Sequence, residues 1–346
     1  MKYLWLLIFV PIISLSQNKE KAEIKVNEGI ELHDEGKYND ALNKYEEALS
    51  LDKNNLFALS EKAMTLEASK KYDEAIETCK LAINTHRKED VKTVYVTYGN
   101  SLDHSKKGKL ALKIYDEGLK KYPNYYQLHF NKGISLINDK QTEKALESFQ
   151  NSVKLNPKHP GSFNALAALN QNKRIISILS SLRYLVIDNK SPRAKGNLES
   201  VINLMNQGVS QKDDNSITLA LNPEIVDQAG SKKKGINNFS MVDMVLSMSA
   251  ALDFDEKNKN KTKCQKFIDK LDSIMATMKE SQKGQKGFYW EFLAPYFIEM
   301  AQQKLLEPFA YITFLPQQSD DVMKYHKENS KEIERFYKWS ENYAWK

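Results

Sequence analysis

Only two cysteines, Cys79 and Cys264, stand in a chain of 346 residues, so neither a disulfide framework nor a four-cysteine zinc site is available. Glycine and proline are scarce too, at 13 and 9, below their usual shares of ~7% and ~5%. Such scarcity argues against a turn-rich β-sandwich or barrel and favours long runs of helix. Charge of one sign is not in large excess: 51 basic against 45 acidic side chains leave +6. Beyond the first residues, no apolar run approaches the ~20 residues of a membrane-spanning helix. The six histidines, at 33, 86, 104, 129, 159 and 326, have no zinc-type spacing to one another or to a cysteine. Gly284 and Gly287 lack the surroundings of a phosphate loop, and Asp213-Asp214 lacks the closing glutamate of a calcium loop. No cofactor, metal or catalytic constellation is therefore expected. The 41% apolar and 28% charged residues fit a core-forming chain of roughly two to three domains at ~100–200 residues each.

The first residues have the layout of a secretory signal peptide. Lys2 supplies one positive charge, Tyr3 to Ile13 is apolar, and Ser14-Leu15-Ser16 places small residues three and one positions before Gln17. Charge returns at Lys19, too early for a membrane anchor. Residues 1–16 are expected to be cleaved and 17–21 to form a short linker. The mature protein is then expected in the periplasm or outside the cell.

A pattern repeats through the first half. Ala41, Ala75, Ala111 and Ala145 are spaced by 34, 36 and 34 residues. Twelve positions before each stands Gly29, Ala63, Gly99 or Gly133, and nine before stands Leu32, Leu66, Leu102 or Leu136. Four positions after come Tyr45, Cys79, Tyr115 and Phe149; seven after come Ala48, Ala82, Gly118 and Ser152. Small residues let two helices approach closely, the large residue one turn on fills the next groove, and Pro123 and Pro157 stop the second helices of the last two copies. The pattern resembles the tetratricopeptide repeat, a 34-residue helix–turn–helix unit, over 22–55, 56–89, 92–125 and 126–159. A degenerate fifth copy spans 160–193, where Leu179 replaces the key alanine and Arg183 the large apolar residue. The third copy has Gly108 where Tyr38 and Tyr72 stand in the first two, and Asp90-Val91 are inserted before it; its turn is expected to be less regular. The resemblance implies an all-α, right-handed solenoid over 22–193.

Residues 194–346 read as an additional helical region. Helical spacing covers 197–209, 239–252 and 264–278. Residues 210–238 read as a loop, with a short helix from Pro223. An aromatic helix at 287–301 is bent by Pro295, a short apolar piece follows between Pro308 and Pro316, and a last helix runs over 320–343. A separate all-α domain and divergent hairpins extending the solenoid fit equally well. His129 is expected to pack in the core and Cys264 to be a surface thiol. Lys232 to Lys234 and Lys257, Lys259, Lys261 and Lys263 read as a solvated basic loop rather than a nucleic-acid site.

Stacked helical pairs present an inner wall to a partner. The tetratricopeptide resemblance implies that first-helix positions 2, 5, 6, 9, 12 and 13 line it. The candidate partner-binding residues are accordingly Val26, Ile30, Met64, Val96, Asn100, Phe130, Ile134 and Ile137. No lysine or arginine occupies positions 2, 5, 6 or 9 in any of the four copies, so a clamp for acidic chain ends is not expected. The expected function is a non-catalytic scaffold binding a protein or peptide, with no nucleic acid and no membrane span. The strip of apolar residues is expected to be covered by an amphipathic helix. That helix belongs either to a partner or to the chain's own C-terminus, through Tyr325, Ile333, Phe336, Tyr337 and Tyr343. The alternative is an enzyme or small-ligand module in the C-terminal region, with aromatics at 288–297 lining its pocket.

Overall fold

The computed structural model describes residues 9–213, 216–231 and 235–345, with side chains apart from those of 9–16 and 212–213. Most of the predicted signal peptide, Asp214 and Lys232 to Lys234 thus lie outside the described residues. Eighteen α-helices and one small hairpin are found among the described residues, so the chain has an all-α helical repeat fold. None of these helices is long and apolar enough to cross a membrane. The chain divides into two compact units between Leu155 and Asn156.

The first unit is four helical hairpins: α1 (Phe9–Asp34) with α2 (Tyr38–Leu51), α3 (Leu56–Ala68) with α4 (Tyr72–Thr85), α5 (Lys92–His104) with α6 (Gly108–Lys121), and α7 (Tyr126–Asn138) with α8 (Thr142–Leu155). Each second helix also touches the next first helix, and α1, α3, α5 and α7 contact one another in sequence. The first helices thus form one continuous face.

Side-chain size sets how closely each pair packs. Gly29 meets Tyr45, Gly99 meets Tyr115 and Gly133 meets Phe149, so that a Cβ at any of these glycines would enter the ring opposite. The second repeat instead pairs Ala63 with Cys79, both fully buried. A methyl is tolerated there because the partner side chain is small.

The turn inside each repeat is also constant. Gly36, Lys70, Lys106 and Lys140 occupy one repeat position and all have φ between 59° and 76°. The following amide donates back to Leu32, Leu66, Leu102 or Leu136 at 2.8 Å each, the 6→1 bond of a Schellman cap. The third turn is therefore as regular as the rest, contrary to the expectation from Gly108. The left-handed residue and its cap bond set the turn, not the side chain at 108. The Asp90-Val91 insertion is absorbed before α5, where the Tyr122 hydroxyl accepts from Val91 N at 2.9 Å and donates to Glu89 O at 3.0 Å.

The second unit contains α9 (Pro160–Leu169), α10 (Arg174–Ile187), α11 (Pro192–Asn206), the hairpin β1 (Val209–Asp213) and β2 (Ser216–Leu219), α12 (Pro223–Gly230), α13 (Ser240–Ala251), α14 (Lys263–Ser281), α15 (Ala294–Gln302), α16 (Leu306–Phe314), α17 (Asp320–Glu328) and α18 (Ser330–Glu341). The fifth helical pair, α9 and α10, falls in this unit. Every residue from Ile175 to Val186 is buried, and α10 touches α9, α11, α13 and α16. A helix buried on every side is a central one, and its polar Ser177 and Arg183 are hydrogen-bonded inside the unit.

The predicted loop at 210–238 is instead an antiparallel hairpin followed by α12. Ile217 and Leu219 are 44% and 41% exposed, so this solvated ribbon carries no core-facing alternation. The bend at Pro295 takes the form of a π-turn over Tyr289–Leu293. Pro295 has no amide to donate to Glu291 O, and the wider turn absorbs the missing bond. The single predicted C-terminal helix is broken at Asn329 into α17 and α18.

Candidate functional site

The face built by α1, α3, α5 and α7 places the candidate residues in three groups. Val26 is fully buried in the core of the first hairpin, against Tyr45 and its neighbours, and is corrected to a packing residue. Ile30, Val96, Asn100 and Phe130 are half-buried. Met64, Ile134 and Ile137 are 39%, 39% and 36% exposed. These three side chains stand partly exposed on the first-helix side of the repeats. Within the second unit, four of the five residues of the predicted C-terminal stripe have partners of their own. Phe336 packs on Phe309, Tyr325 stacks on Tyr311 at 3.8 Å, and Tyr343 meets Tyr296. Tyr337 accepts from Asn189.

Met64, Val96 and Asn100 are gathered at a cavity of about 500 Å³, together with His33, Glu67, Lys70, Tyr72 and His104. Hydroxyls on the first helices link successive repeats beside it. His33 Nδ1 lies 2.7 Å from Thr65 Oγ1, and Ser135 Oγ donates to Asp103 Oδ1 at 3.0 Å. Each bond joins position 12 of one repeat to position 10 of the next. Between the second and third repeats the equivalent pair is Glu67 and Ser101, and there the link is broken. The Ser101 hydroxyl is buried with no hydrogen bond, and Glu67 lines the cavity instead.

Glu67 has 18% of its side chain exposed, and its nearest basic neighbour is His104, with Nε2 3.9 Å from Oε1. Burial pushes its carboxyl up to about 7, a rise partly offset by a hydrogen bond from Asn100. Asn100 is fixed from behind, since the Tyr115 hydroxyl donates to its Oδ1 at 2.7 Å. The Tyr115 hydroxyl is itself raised by burial and by the charges of Asp103 and Glu67. His104 stacks on Tyr72 with ring centroids 5.1 Å apart. Burial also raises Glu61, with Asp34 adding to the effect, and Asp103, against the Ser135 bond. This part of the face therefore carries carboxyl groups without a lysine or arginine paired to Glu67 among the described residues. The sequence reading took candidates from positions 5 and 9, and from position 12 only Ile137; Glu67 and His104, at positions 12 and 13, were not among them. The run His33, Glu67, Asp103 at one repeat position was the available signal.

Other candidates fall away. Cys264 is 1% exposed rather than a surface thiol, because α14 turns it inward. Burial and the charges of Asp321 and Glu307 raise its pKa. Both cysteines are free. His129 is half-buried and bonded to Pro123 O at 2.8 Å rather than packed in the core. Phe288, Tyr289, Trp290, Phe292, Tyr296 and Phe297 are all buried and form a core of stacked rings. No group of three metal-ligating side chains exists among the described residues.

Four hairpins stacked through their first helices, with a small residue against a large one in each, define an α-solenoid of helix–turn–helix repeats. Residues 32–95 and 126–159 match family models of the tetratricopeptide repeat, so the chain carries tetratricopeptide repeats in its first unit. No curated protein matches it. Among solved structures it is similar to PilF of Pseudomonas aeruginosa (19% identity, 54% of this chain and 84% of that one, TM-score 0.48). It is also similar to TTC0263, a thermophilic TPR protein of Thermus thermophilus (18%, 52% and 99%, 0.46), and to YrrB, a TPR protein with an unusual peptide-binding site (21%, 52% and 92%, 0.38). At that level of likeness no role of theirs carries over.

Proposed function

We propose that the chain is a non-catalytic scaffold that binds a protein or peptide on the inner face of its repeats. The observation that carries this reading is the cavity lined by Met64, Val96, Glu67 and Asn100, with Ile134 and Ile137 exposed on the first helix of the fourth repeat. A surface cavity lined by apolar side chains with a few polar groups is the usual form of a binding site. Export through residues 1–16, and a site of action outside the cytoplasm, belong to the same proposal, supported by the small-residue cut site before Gln17.

The test pairs two sets of variants. Met64→Asp with Ile134→Asp charges the inner face, while Leu81→Asp with Leu110→Asp charges leucines that are 51% and 52% exposed on second helices. Partner or peptide binding is expected to fall at least tenfold in the first pair and to hold in the second. Equal losses, or none in the first pair, contradict the reading. Mass analysis of exported protein is expected to show Gln17 as its first residue.

One feature supports a second reading for the C-terminal unit. Lys263, Lys266 and Lys270 line a cavity of about 450 Å³ with Phe267 and Phe314. Lys270 is spent on Asp253, and Lys266 donates to Asp253 O. Glu199 and Asp253 line the same cavity, so Lys263 is the group left for a small anionic ligand, and protection of its amine from acetylation by such a ligand would support this reading.

A further inference from the structure

The broken link at Glu67 leaves two things unexplained by packing. A hydroxyl, Ser101, is buried without a partner, and the carboxylate that would reach it in the repeat pattern faces a cavity instead. A carboxylate largely withdrawn from water without a paired lysine or arginine is costly, so its placement gains most from a positive group arriving with the ligand. The cavity walls suit the rest of such a group. Met64 and Val96 offer aliphatic surface, and long cationic side chains bury their methylene stems on such surface while the head stays polar.

We propose that this cavity is a subsite for one lysine or arginine side chain of the bound peptide, with Glu67 as its counter-charge and Met64 and Val96 against its stem. The inference rests on the peptide-binding reading and names the partner's chemistry. The titratable groups around Glu67 are His33 from α1, Lys70 just beyond its own helix, Tyr72 from α4, His104 from α5 and Tyr125 before α7, which share its cavity, with Cys79 from α4 and Tyr115 from α6 within reach of its charge. His104, at 3.9 Å, is the one positioned to compete with an incoming cation. Its side chain is 56% exposed, so it can swing away. Because burial raises the Glu67 carboxyl to about 7, the site gains its negative charge as pH rises through that value. Cation binding therefore strengthens upward in pH, by about tenfold between about pH 6 and about pH 8.

The test uses acetylated, amidated octapeptide pools in which one position is Arg, Lys, citrulline, norleucine or Glu and the others are mixed. Binding is read by fluorescence anisotropy and by the methyl resonance of Met64. The Arg and Lys pools are expected to bind about tenfold tighter than the citrulline and norleucine pools at pH 8, and to lose that margin at pH 6. Glu67→Gln should remove both the preference and the pH dependence while norleucine-pool binding stays. Glu67→Asp should keep a reduced preference, which separates lost charge from lost folding. Pools that bind with no charge preference, or a preference that survives Glu67→Gln, overturn the subsite and leave the peptide-binding reading standing. A pH dependence that disappears in His104→Gln but persists in Glu67→Gln overturns it as well. No binding by any pool overturns both.

Discussion

The size match between first and second helices gives a sharp prediction at Gly99. A Cβ there would sit 2.8 Å from Tyr115 Cδ1 and nearer still to Cε1 and Cζ. Tyr115 is fully buried and tied through its hydroxyl to Asn100, so its ring cannot simply swing out. Displacing it costs ~1–3 kcal/mol as overpacking, and losing the hydroxyl bond about 1 kcal/mol. The helix-propensity gain of alanine over glycine returns about 1 kcal/mol. Gly99→Ala is therefore expected to destabilise by about 1–3 kcal/mol. Tyr115→Cys alone removes most of a buried ring and should cost ~3–5 kcal/mol. Made together, the two changes recreate the Ala63–Cys79 pair of the second repeat. The double variant should then be more stable than the sum of the singles by about 1–2 kcal/mol. Urea melts of the four proteins, followed by circular dichroism, measure the cycle. Strict additivity would show that ring and glycine are not in contact, and the packing account of the repeat would fail.

Two more outcomes follow from the same unit. Ala75 is fully buried, so Ala75→Leu should destabilise by ~1–3 kcal/mol. Glu77→Gln, on an exposed pair with Lys80, should stay within about ±0.5 kcal/mol in the same melts; equal midpoints would contradict the repeat register. Glu67 has a folded-state carboxyl raised from its ordinary value to about 7, so between those values the folded state holds more protons than the unfolded one. The stability this contributes is full below the ordinary carboxyl range and is lost as pH rises through about 7. Glu67→Gln should thus stabilise relative to wild type by about 1–3 kcal/mol more at pH 8 than at pH 4, and a difference that does not change with pH would refute the buried-carboxyl assignment.

The repeat half was legible because its physics is periodic. A small residue against a large one every 34 residues or so leaves a mark that survives substitution, as at Ala63 and Cys79. The turn at Lys106 was misread because a left-handed lysine has no sequence signature, whereas Gly36 does. The strip was legible only in part. Val26 shares position 5 with Val96 and Phe130, yet it is wholly buried in the core of the first hairpin, and a repeat position alone does not fix burial. Glu67 was missed because a lone glutamate at a helix end reads as solvated; its burial comes from α5, in the next repeat. The second unit was legible as helices but not as a fold. The exposed ribbon at 209–219 buries too little to impose alternation, and α10 is buried on every face, so neither element announces its neighbours.

The central claim is that the first-helix face of the repeats receives a protein or peptide. A photo-crosslinking amino acid placed in turn at Ile30, Met64, Val96, Phe130 and Ile134, and at Leu81 and Leu110 as outer controls, tests it most directly in the protein's native setting. One adduct of the same mass is predicted from the inner positions, strongest at Met64 and Ile134, with none from Leu81 or Leu110. Adducts that form only from Leu81 and Leu110 would contradict it.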